Sequence, residues 1–178
     1  MAESGKTEEE IAAVVKQGKK APGQLRVIRD LGDTADFGPE LRLTQPDLNN
    51  FMLFNLDVDI NMPDSIWRKG KYRFTISIPN DYPHTAPKVH CDTQIYHPNI
   101  DMQGNVCLNI LRADWKPVLG LSAICLGLQF LFIEPNSEDP LNLEAAQLMR
   151  SNPSQFKEKV SKTLRGGTYD GKVFPKFI

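Results

Sequence analysis

Two stretches in which apolar and polar residues alternate, interrupted only by Leu53, constrain the fold of this chain most. One runs from 52 to 60 and the other from 72 to 78. A period of two residues is typical of a half-buried β-strand, because successive side chains point to opposite faces of the sheet. Shorter extended segments at 41–43 and 88–91 precede and follow them, with short turn-rich links on either side of 52–60. The pattern predicts a four-stranded antiparallel meander with one apolar face.

Helical periodicity supplies a cover for that apolar face. Leu25, Ile28 and Leu31 fall at helical spacing and predict a short first helix that ends at Gly32. The run that begins at Leu121 is almost wholly apolar and continues to 132. We therefore expect a buried central helix there, and we expect its cysteine, Cys125, to belong to the core.

Two asparagines mark the beginnings of the C-terminal helices. Asn142 predicts a helix that runs to Met149, and Asn152, followed by a proline, predicts the last helix. Gly166-Gly167 is expected to end that helix. The whole pattern predicts an α+β domain over 21–178, with an N-terminal helix, a central buried helix and two C-terminal helices.

Charge and cysteine content narrow the classes of function. A net charge of −1 argues against electrostatic binding to nucleic acid or to an anionic membrane. No apolar run reaches the ~20 residues of a membrane span. Three cysteines without paired spacing are typical of free thiols in a reducing compartment. The histidines at 84, 90 and 97 share no cysteine pair, so we expect no metal site.

The segment 96–117 carries the candidate chemistry. It holds one thiol, Cys107, and an asparagine, Asn99, eight residues upstream. Cysteine hydrolases need a histidine base beside the thiol, whereas the one histidine here, His97, precedes a proline and is expected to brace the loop. The loop suits a residue that carries an acyl group. An unperturbed cysteine with a pKa of about 8.5 is already a few per cent thiolate at pH 7.

His97-Pro98-Asn99, followed ten residues after the histidine by Cys107, resembles the active-site signature of the ubiquitin-conjugating enzyme family. Segments 82–87, 115–117 and 135–142 resemble three further motifs of that family, with alanine at 86 in place of a proline. The resemblance covers roughly residues 21 to 165. Within the family, the amino-acid sequence of 104–119 is most similar to that of enzymes that load cullins with the neddylation modifier.

The resemblance implies the ubiquitin-conjugating (UBC) fold and an acyltransferase reaction. Cys107 would accept a ubiquitin-like modifier as a thioester from a heterodimeric activating enzyme, and a RING ligase would direct it to a cullin lysine. ATP is used upstream, so no cofactor is expected, and we expect a cytoplasmic and nuclear monomer. Two alternatives stay open: an enzyme that uses ubiquitin itself, and an inactive binding variant of the fold, which would lack the thiol.

Five further residues are candidates for roles around the thiol. The resemblance favours a catalytic Asn99, which would donate to the oxyanion or support the loop. Asp139 matches the family's acidic-loop aspartate and is expected to orient the lysine, with Glu138 as the near alternative. Asn109, two residues past the thiol, would share a side with it in an extended segment and shape the lysine entrance, where Tyr96 would also pack.

The resemblance also implies two partner surfaces. A ligase-binding surface is expected on two proline-containing loops, at Pro83, His84, Lys116, Pro117 and Val118.

A second surface would contact the activating enzyme. Arg26 and Arg29 of the first helix are expected to belong to it. Residues 1–20 are polar apart from one short apolar run and predict a flexible extension or a docking segment for the activating enzyme and a co-ligase. The anchors of that segment would be Ile11, Val14 and Val15.

Overall fold

The computed structural model describes residues 21–178, so the expected extension of residues 1–20, with its anchors Ile11, Val14 and Val15, lies outside the described part. Within 21–178 the chain forms four α-helices, one short 3₁₀ helix and six β-strands. None of these helices is long and apolar enough to cross a membrane. In chain order the elements are α1 (Pro22–Gly32), β1 (Leu41–Thr44), β2 (Leu53–Asp59), β3 (Lys71–Ser77), β4 (Lys88–Cys91), the 3₁₀ helix (Asn109–Leu111), α2 (Leu121–Phe130), α3 (Leu143–Ser151), α4 (Pro153–Leu164), β5 (Arg165–Tyr169) and β6 (Lys172–Lys176).

The first four strands form the predicted antiparallel meander, in the order β1-β2-β3-β4. Leu56 of β2 lies opposite Phe74 of β3, and Phe74 lies opposite Cys91 of β4. On the outer face, Asp57 accepts hydrogen bonds from Arg42 at 3.1 Å and from Arg73 at 2.7 Å. The alternation read from the sequence therefore separates a buried apolar face from a charged outer face.

Helix α2 covers the apolar face of the sheet, as predicted. One side of it is fully buried in the same core as the inward strand residues. The opposite side is not, because Leu126 and Phe130 are each 50% exposed. The predicted central helix therefore buries one side in the core and exposes the other, and Cys125 is buried as predicted. The core-facing residues of α2 are Leu121, Ile124, Cys125 and Leu128.

Helix α1 ends at Gly32 as predicted, and its buried face is shifted from the predicted one. Val27 and Ile28 are buried, whereas Leu25 is 44% exposed. The helix is turned so that Asp30 is also buried, where its carboxylate bonds Arg26 and the hydroxyl of Tyr82. Of the three predicted apolar positions, Ile28 and Leu31 therefore contact the core, whereas Leu25 does not.

The two predicted asparagine caps are present. The side chain of Asn142 accepts from the amide of Ala145 at 3.0 Å, and that of Asn152 accepts from the amide of Gln155 at 3.1 Å. Each bond satisfies an N-terminal amide that lacks a partner within its helix.

The prediction that Gly166-Gly167 ends the last helix is confirmed, because Gly166 follows the C-cap residue Arg165 with a φ of 80°, but the strand that begins there was not predicted. Helix α4 ends at Leu164, and both glycines lie in β5, which pairs with β6 in a hairpin. Asp170 and Gly171 form the turn with φ of 52° and 73°. Asp-Gly is the residue pair that favours such two-residue hairpin turns, because both positions need positive φ.

Tyr169 fastens the hairpin of β5 and β6 to the core. The ammonium of Lys159 lies 4.4 Å from the ring centre of Tyr169 and 4.7 Å from that of Tyr96, and it pairs with Glu144. Tyr96 is fully buried. The expectation that Tyr96 lies at the lysine entrance is therefore wrong, because its ring points into the core.

Candidate active site

A tight turn brings Cys107 back beside Asn99. The carboxylate of Asp101 accepts from the amides of Gln103 and Asn105, both at 2.9 Å. Gly104 has a φ of 86°, and a Cβ there would lie 2.3 Å from the carbonyl oxygen of residue 91, so the turn requires glycine. The amide of Cys107 then donates to the carbonyl of Asn99 at 2.8 Å.

His97 braces this loop from within the core, as predicted. It is fully buried, and its Nδ1 accepts from the amide of Asn99 at 2.9 Å. The ring proton therefore lies on Nε2, which donates to the carbonyl of Leu131 at 3.0 Å. Burial lowers the pKa of His97 to about 4. The imidazole is neutral at pH 7.

The side-chain amide of Asn99 holds the acidic loop at 135–142. Its Nδ2 donates to the carbonyl of Asn136 at 2.7 Å, and its Oδ1 accepts from the amide of Asn136 at 2.9 Å. Asn99 is only 1% exposed. Of the two roles that the sequence left open, loop support is the one whose contacts are present. The oxyanion role stays a prediction.

The acidic loop places a carboxylate beside the thiol. Sγ of Cys107 lies 3.4 Å from Oδ2 of Asp139. The guanidinium of Arg112 lies 3.7 Å from the same carboxylate oxygen. Sequence reasoning missed Arg112, although it stands five residues after the thiol, because its charge meets the site through Asp139 of the distant acidic loop.

The thiol is more sheltered than the sequence suggested. Cys107 is 3% exposed. Burial raises its pKa above the ordinary value, the hydrogen bond to the Asp139 carboxylate raises it further, and the charge of Arg112 lowers it. The thiolate fraction of Cys107 at neutral pH is therefore smaller than that of an unperturbed cysteine.

Asn109 occupies a position different from the one expected, whereas the role of Glu138 as the alternative to Asp139 stays a prediction. Asn109 begins the 3₁₀ helix and is exposed, so the segment is not extended there and the spacing argument for Asn109 does not hold. Its role at the lysine entrance stays a prediction. The amide of Glu138 donates to the side chain of Asn136 at 2.8 Å, an Asx turn that shapes the loop before Asp139.

The two loops of the expected ligase surface lie side by side. The indole of Trp115 bonds the carbonyl of Pro83 between them. His84 is exposed, and Val118 is 81% exposed. The structure thus brings together the predicted set Pro83, His84, Lys116, Pro117 and Val118.

Arg26 and Arg29 differ sharply in their surroundings. Nε of Arg26 donates to the Asp30 carboxylate at 2.7 Å. Its other nitrogens donate to the carbonyls of Pro117 at 2.7 Å and Leu119 at 3.0 Å. Arg29 is exposed. The guanidinium of Arg26 is therefore engaged within the chain, whereas that of Arg29 faces solvent.

The described residues contain no cluster of three or more histidine, cysteine or acidic side chains arranged to hold a metal ion. Cys91, Cys107 and Cys125 are all free thiols. Burial raises the pKa of Cys91 and of Cys125 to about 12. Cys107 thus stands apart from the other two by its place beside charged side chains in a loop.

This architecture and loop arrangement match known proteins over most of the chain. The sequence profile "Ubiquitin-conjugating enzyme" matches residues 27–164. A solved structure, S. cerevisiae Ubc12, superposes with a TM-score of 0.80 at 35% identity, covering 96% of this chain and 94% of that one. The fold and the site define a protein built to carry an acyl group on a loop cysteine.

Two curated relatives give the same result. A "NEDD8-conjugating enzyme Ubc12" of Dictyostelium discoideum is 45% identical over 157 residues, which is 88% of this chain and 67% of the relative. A "Nedd8-conjugating enzyme UbcE2M" of Drosophila melanogaster is 46% identical over 152 residues, 85% of this chain and 82% of the relative. The chain belongs to the ubiquitin-conjugating enzyme family.

Proposed function

We propose that this chain is a conjugating enzyme of the neddylation branch. It accepts NEDD8 from its activating enzyme as a thioester on Cys107 and transfers it to a substrate lysine, on cullins that a RING ligase presents. The assignment to the neddylation branch is supported by similarity over most of the chain, at 45 and 46% identity, to relatives named as NEDD8-conjugating enzymes. The contact between the Cys107 thiol and the Asp139 carboxylate supports the chemistry.

Loading is an exchange between two sulfurs and needs no strong base. The Cys107 thiolate attacks the thioester carbon on the activating enzyme, a new carbon–sulfur bond forms, and the departing sulfur leaves as a thiolate. The proton of the Cys107 thiol passes to water, and the departing thiolate takes one from water. Because burial and the Asp139 carboxylate raise the pKa of Cys107, we expect loading to become faster as the pH rises through the neutral range.

Transfer needs a neutral amine, and about one lysine in 2,500 is neutral at pH 7. Asp139 lies at hydrogen-bond distance from Sγ of Cys107, so its carboxylate is near the carbon that the amine attacks. It would orient the incoming lysine and receive its proton. Asn99 keeps this carboxylate in place through Asn136, and an N–H of its amide is the candidate donor to the oxyanion.

The partners follow from this reaction. A heterodimeric activating enzyme spends the ATP, so the conjugating step uses no cofactor and no metal. The activating enzyme would meet Arg29, the nearby part of α1 and residues 1–20, and a RING ligase would meet the loops at 83–84 and 116–118. A co-ligase would bind residues 1–20. We propose a monomer of the cytoplasm and nucleus.

A charging reaction tests the proposal. Purified protein, ATP and either NEDD8 or ubiquitin, each with its own activating enzyme, are analysed on non-reducing gels. A reductant-sensitive adduct with NEDD8 alone is expected. An adduct with ubiquitin alone would overturn the branch and keep the chemistry, and no adduct with either would favour a binding variant of the fold.

Two variants test whether Cys107 is the residue that carries the thioester. Cys107→Ser should form an oxygen ester with NEDD8 that survives thiol reductant, because serine offers a hydroxyl in the same place. Cys125→Ala is the matched control, since Cys125 is fully buried in α2 and should leave the reductant-sensitive adduct unchanged. A reductant-sensitive adduct that persists on Cys107→Ser would exclude Cys107.

A further inference from the structure

Arg112 reaches the thiol site from the segment that follows it. It caps the 3₁₀ helix, with its amide donating to the carbonyl of Asn109 at 2.9 Å. Its guanidinium lies 3.7 Å from Oδ2 of Asp139, the oxygen that is 3.4 Å from Sγ of Cys107. One carboxylate oxygen therefore faces both the thiol and the guanidinium.

This ion pair contributes little to the fold. The side chain of Arg112 is 50% exposed and that of Asp139 is 61% exposed. Exposed pairs of this kind typically contribute between about 0 and 1 kcal/mol to stability. The ion pair therefore has a larger effect on the electrostatic environment of the Cys107 thiol than on the stability of the fold.

The two steps of the proposed reaction place opposite demands on Asp139. Transfer benefits from a carboxylate near the thioester, because the incoming amine must lose a proton. Loading suffers from the same carboxylate, because a negative charge beside the sulfur opposes the thiolate. A cation next to the carboxylate reduces its effect on thiolate formation and leaves the carboxylate in place for transfer.

We propose that Arg112 is a positioning residue that offsets the Asp139 charge in the unloaded enzyme, so that Cys107 ionises for loading while Asp139 stays in place for transfer. The part about loading and transfer rests on the proposed function. The electrostatic part concerns the free enzyme alone. The effect of the Arg112 charge, which lowers the pKa of Cys107, agrees with it.

The test is the pH profile of Cys107 alkylation by iodoacetamide, followed by peptide mass spectrometry on the folded protein. Cys91 and Cys125 are buried, with pKa values raised to about 12, and should react far more slowly. Arg112→Gln should move the midpoint of the profile upward by roughly half a pH unit or more and slow alkylation at pH 7.5 several-fold. Arg112→Lys keeps the charge and should restore most of the rate, and Asp139→Asn should move the midpoint downward.

Thermal unfolding of each variant separates this role from a structural one. Arg112→Gln should unfold within a few degrees of the parent, since the pair is exposed. Equal alkylation midpoints for the parent and Arg112→Gln would overturn the proposal, and so would a loss of rate that Arg112→Lys fails to restore.

Charging kinetics with NEDD8 then test the link to loading. Arg112→Gln should load several-fold more slowly at pH 7 and approach the parent's rate as the pH is raised. Failure of the parent itself to charge with NEDD8 would count against the proposed function, while the alkylation profiles would still decide the role of Arg112. Normal loading by Arg112→Gln at every pH would overturn the loading part.

Discussion

The indole N–H of Trp115 donates to the carbonyl of Pro83 across 2.8 Å, and this bond joins the two loops of the proposed ligase surface. The ring of Trp115 also packs against Tyr82, with 6.0 Å between ring centres. Residues more than thirty positions apart in the chain thus form one continuous surface. The Trp115 bond is the side-chain hydrogen bond that links the two loops to each other.

Trp115→Phe keeps most of the ring packing and removes the donor. We expect a loss of about 1 kcal/mol in the free energy of unfolding, measured with urea. Ligase-stimulated transfer should fall more than discharge to free lysine, because the loops lose their fixed spacing. Trp67→Phe is the matched control: Trp67 donates to the buried carbonyl of Tyr96 at 3.0 Å, so its loss should cost more stability and affect both reactions alike. Equal losses in both reactions for Trp115→Phe would contradict the assigned surface.

Variants of Arg26 and Arg29 should distinguish a role in the stability of the fold from a role in binding the activating enzyme. Arg26→Gln leaves the carboxylate of Asp30, which is 2% exposed, without its cationic partner, and should lower the free energy of unfolding by about 1–3 kcal/mol. Arg29→Gln should change it by less than about 0.5 kcal/mol. Titrating each variant with activating enzyme should show weaker charging for Arg29→Gln at unchanged stability. Unchanged charging by Arg29→Gln would remove this residue from the activating-enzyme surface.

Asn99→Ala tests the bond that holds the acidic loop. Loading should stay within a few-fold of the parent, whereas discharge to lysine should fall by about 10²–10³, the typical effect of losing an oxyanion donor. The amide of Asn136 donates to Asn99, so its hydrogen exchange should also become faster. Lost discharge with unchanged exchange at Asn136 would mean that the Asn99 amide acts on the oxyanion and not on the loop.

His97 makes the folded protein sensitive to acid. Its pKa is about 4 in the folded protein against 6.5 in an unperturbed histidine, so between these values the unfolded chain binds a proton that the folded protein excludes. The free energy of unfolding is therefore unaffected by His97 protonation above about pH 6.5. It falls by roughly 3 kcal/mol in all as the pH is lowered toward 4. Urea unfolding between pH 7.5 and 4.5 should therefore show a smaller acid decline for His97→Gln than for the parent.

His90 provides the control of opposite sign. Its two ring nitrogens face acceptors, Asp92 at 3.0 Å and the carbonyl of Gln103 at 2.8 Å, and the bond to Asp92 raises its pKa. The stability it contributes is present below pH 6.5 and is lost as the pH rises through its folded pKa. His90→Gln should therefore steepen the acid decline. Parallel declines for both variants would show that neither histidine governs it.

Local patterns predicted the parts of the fold that depend on local physics. Alternation fixed the inward faces of β2 and β3, and the asparagine caps at 142 and 152 were readable because capping needs only neighbouring residues. The hairpin of β5 and β6 had a local signal too, the Asp-Gly pair at its turn, which the two glycines at 166–167 obscured.

The remaining features depend on contacts between distant segments. Tyr96 lies next to the active-site loop in sequence, yet its ring packs against Phe156 of α4, and no periodicity indicates that direction. Asn109 was misplaced because the chain turns into a 3₁₀ helix one residue after Leu108. Arg112 became part of the site only when the acidic loop, held by Asn99, brought Asp139 within reach.

The three carbonyls that Arg26 binds, at residues 117, 118 and 119, have a consequence for molecular recognition. A protein that docks on this loop meets a backbone already ordered from behind by α1, so association there loses little conformational entropy. Affinity then depends on the exposed side chains at 116–118 rather than on loop ordering. Substitutions at these positions can retune the choice of partner while the shape of the loop is preserved.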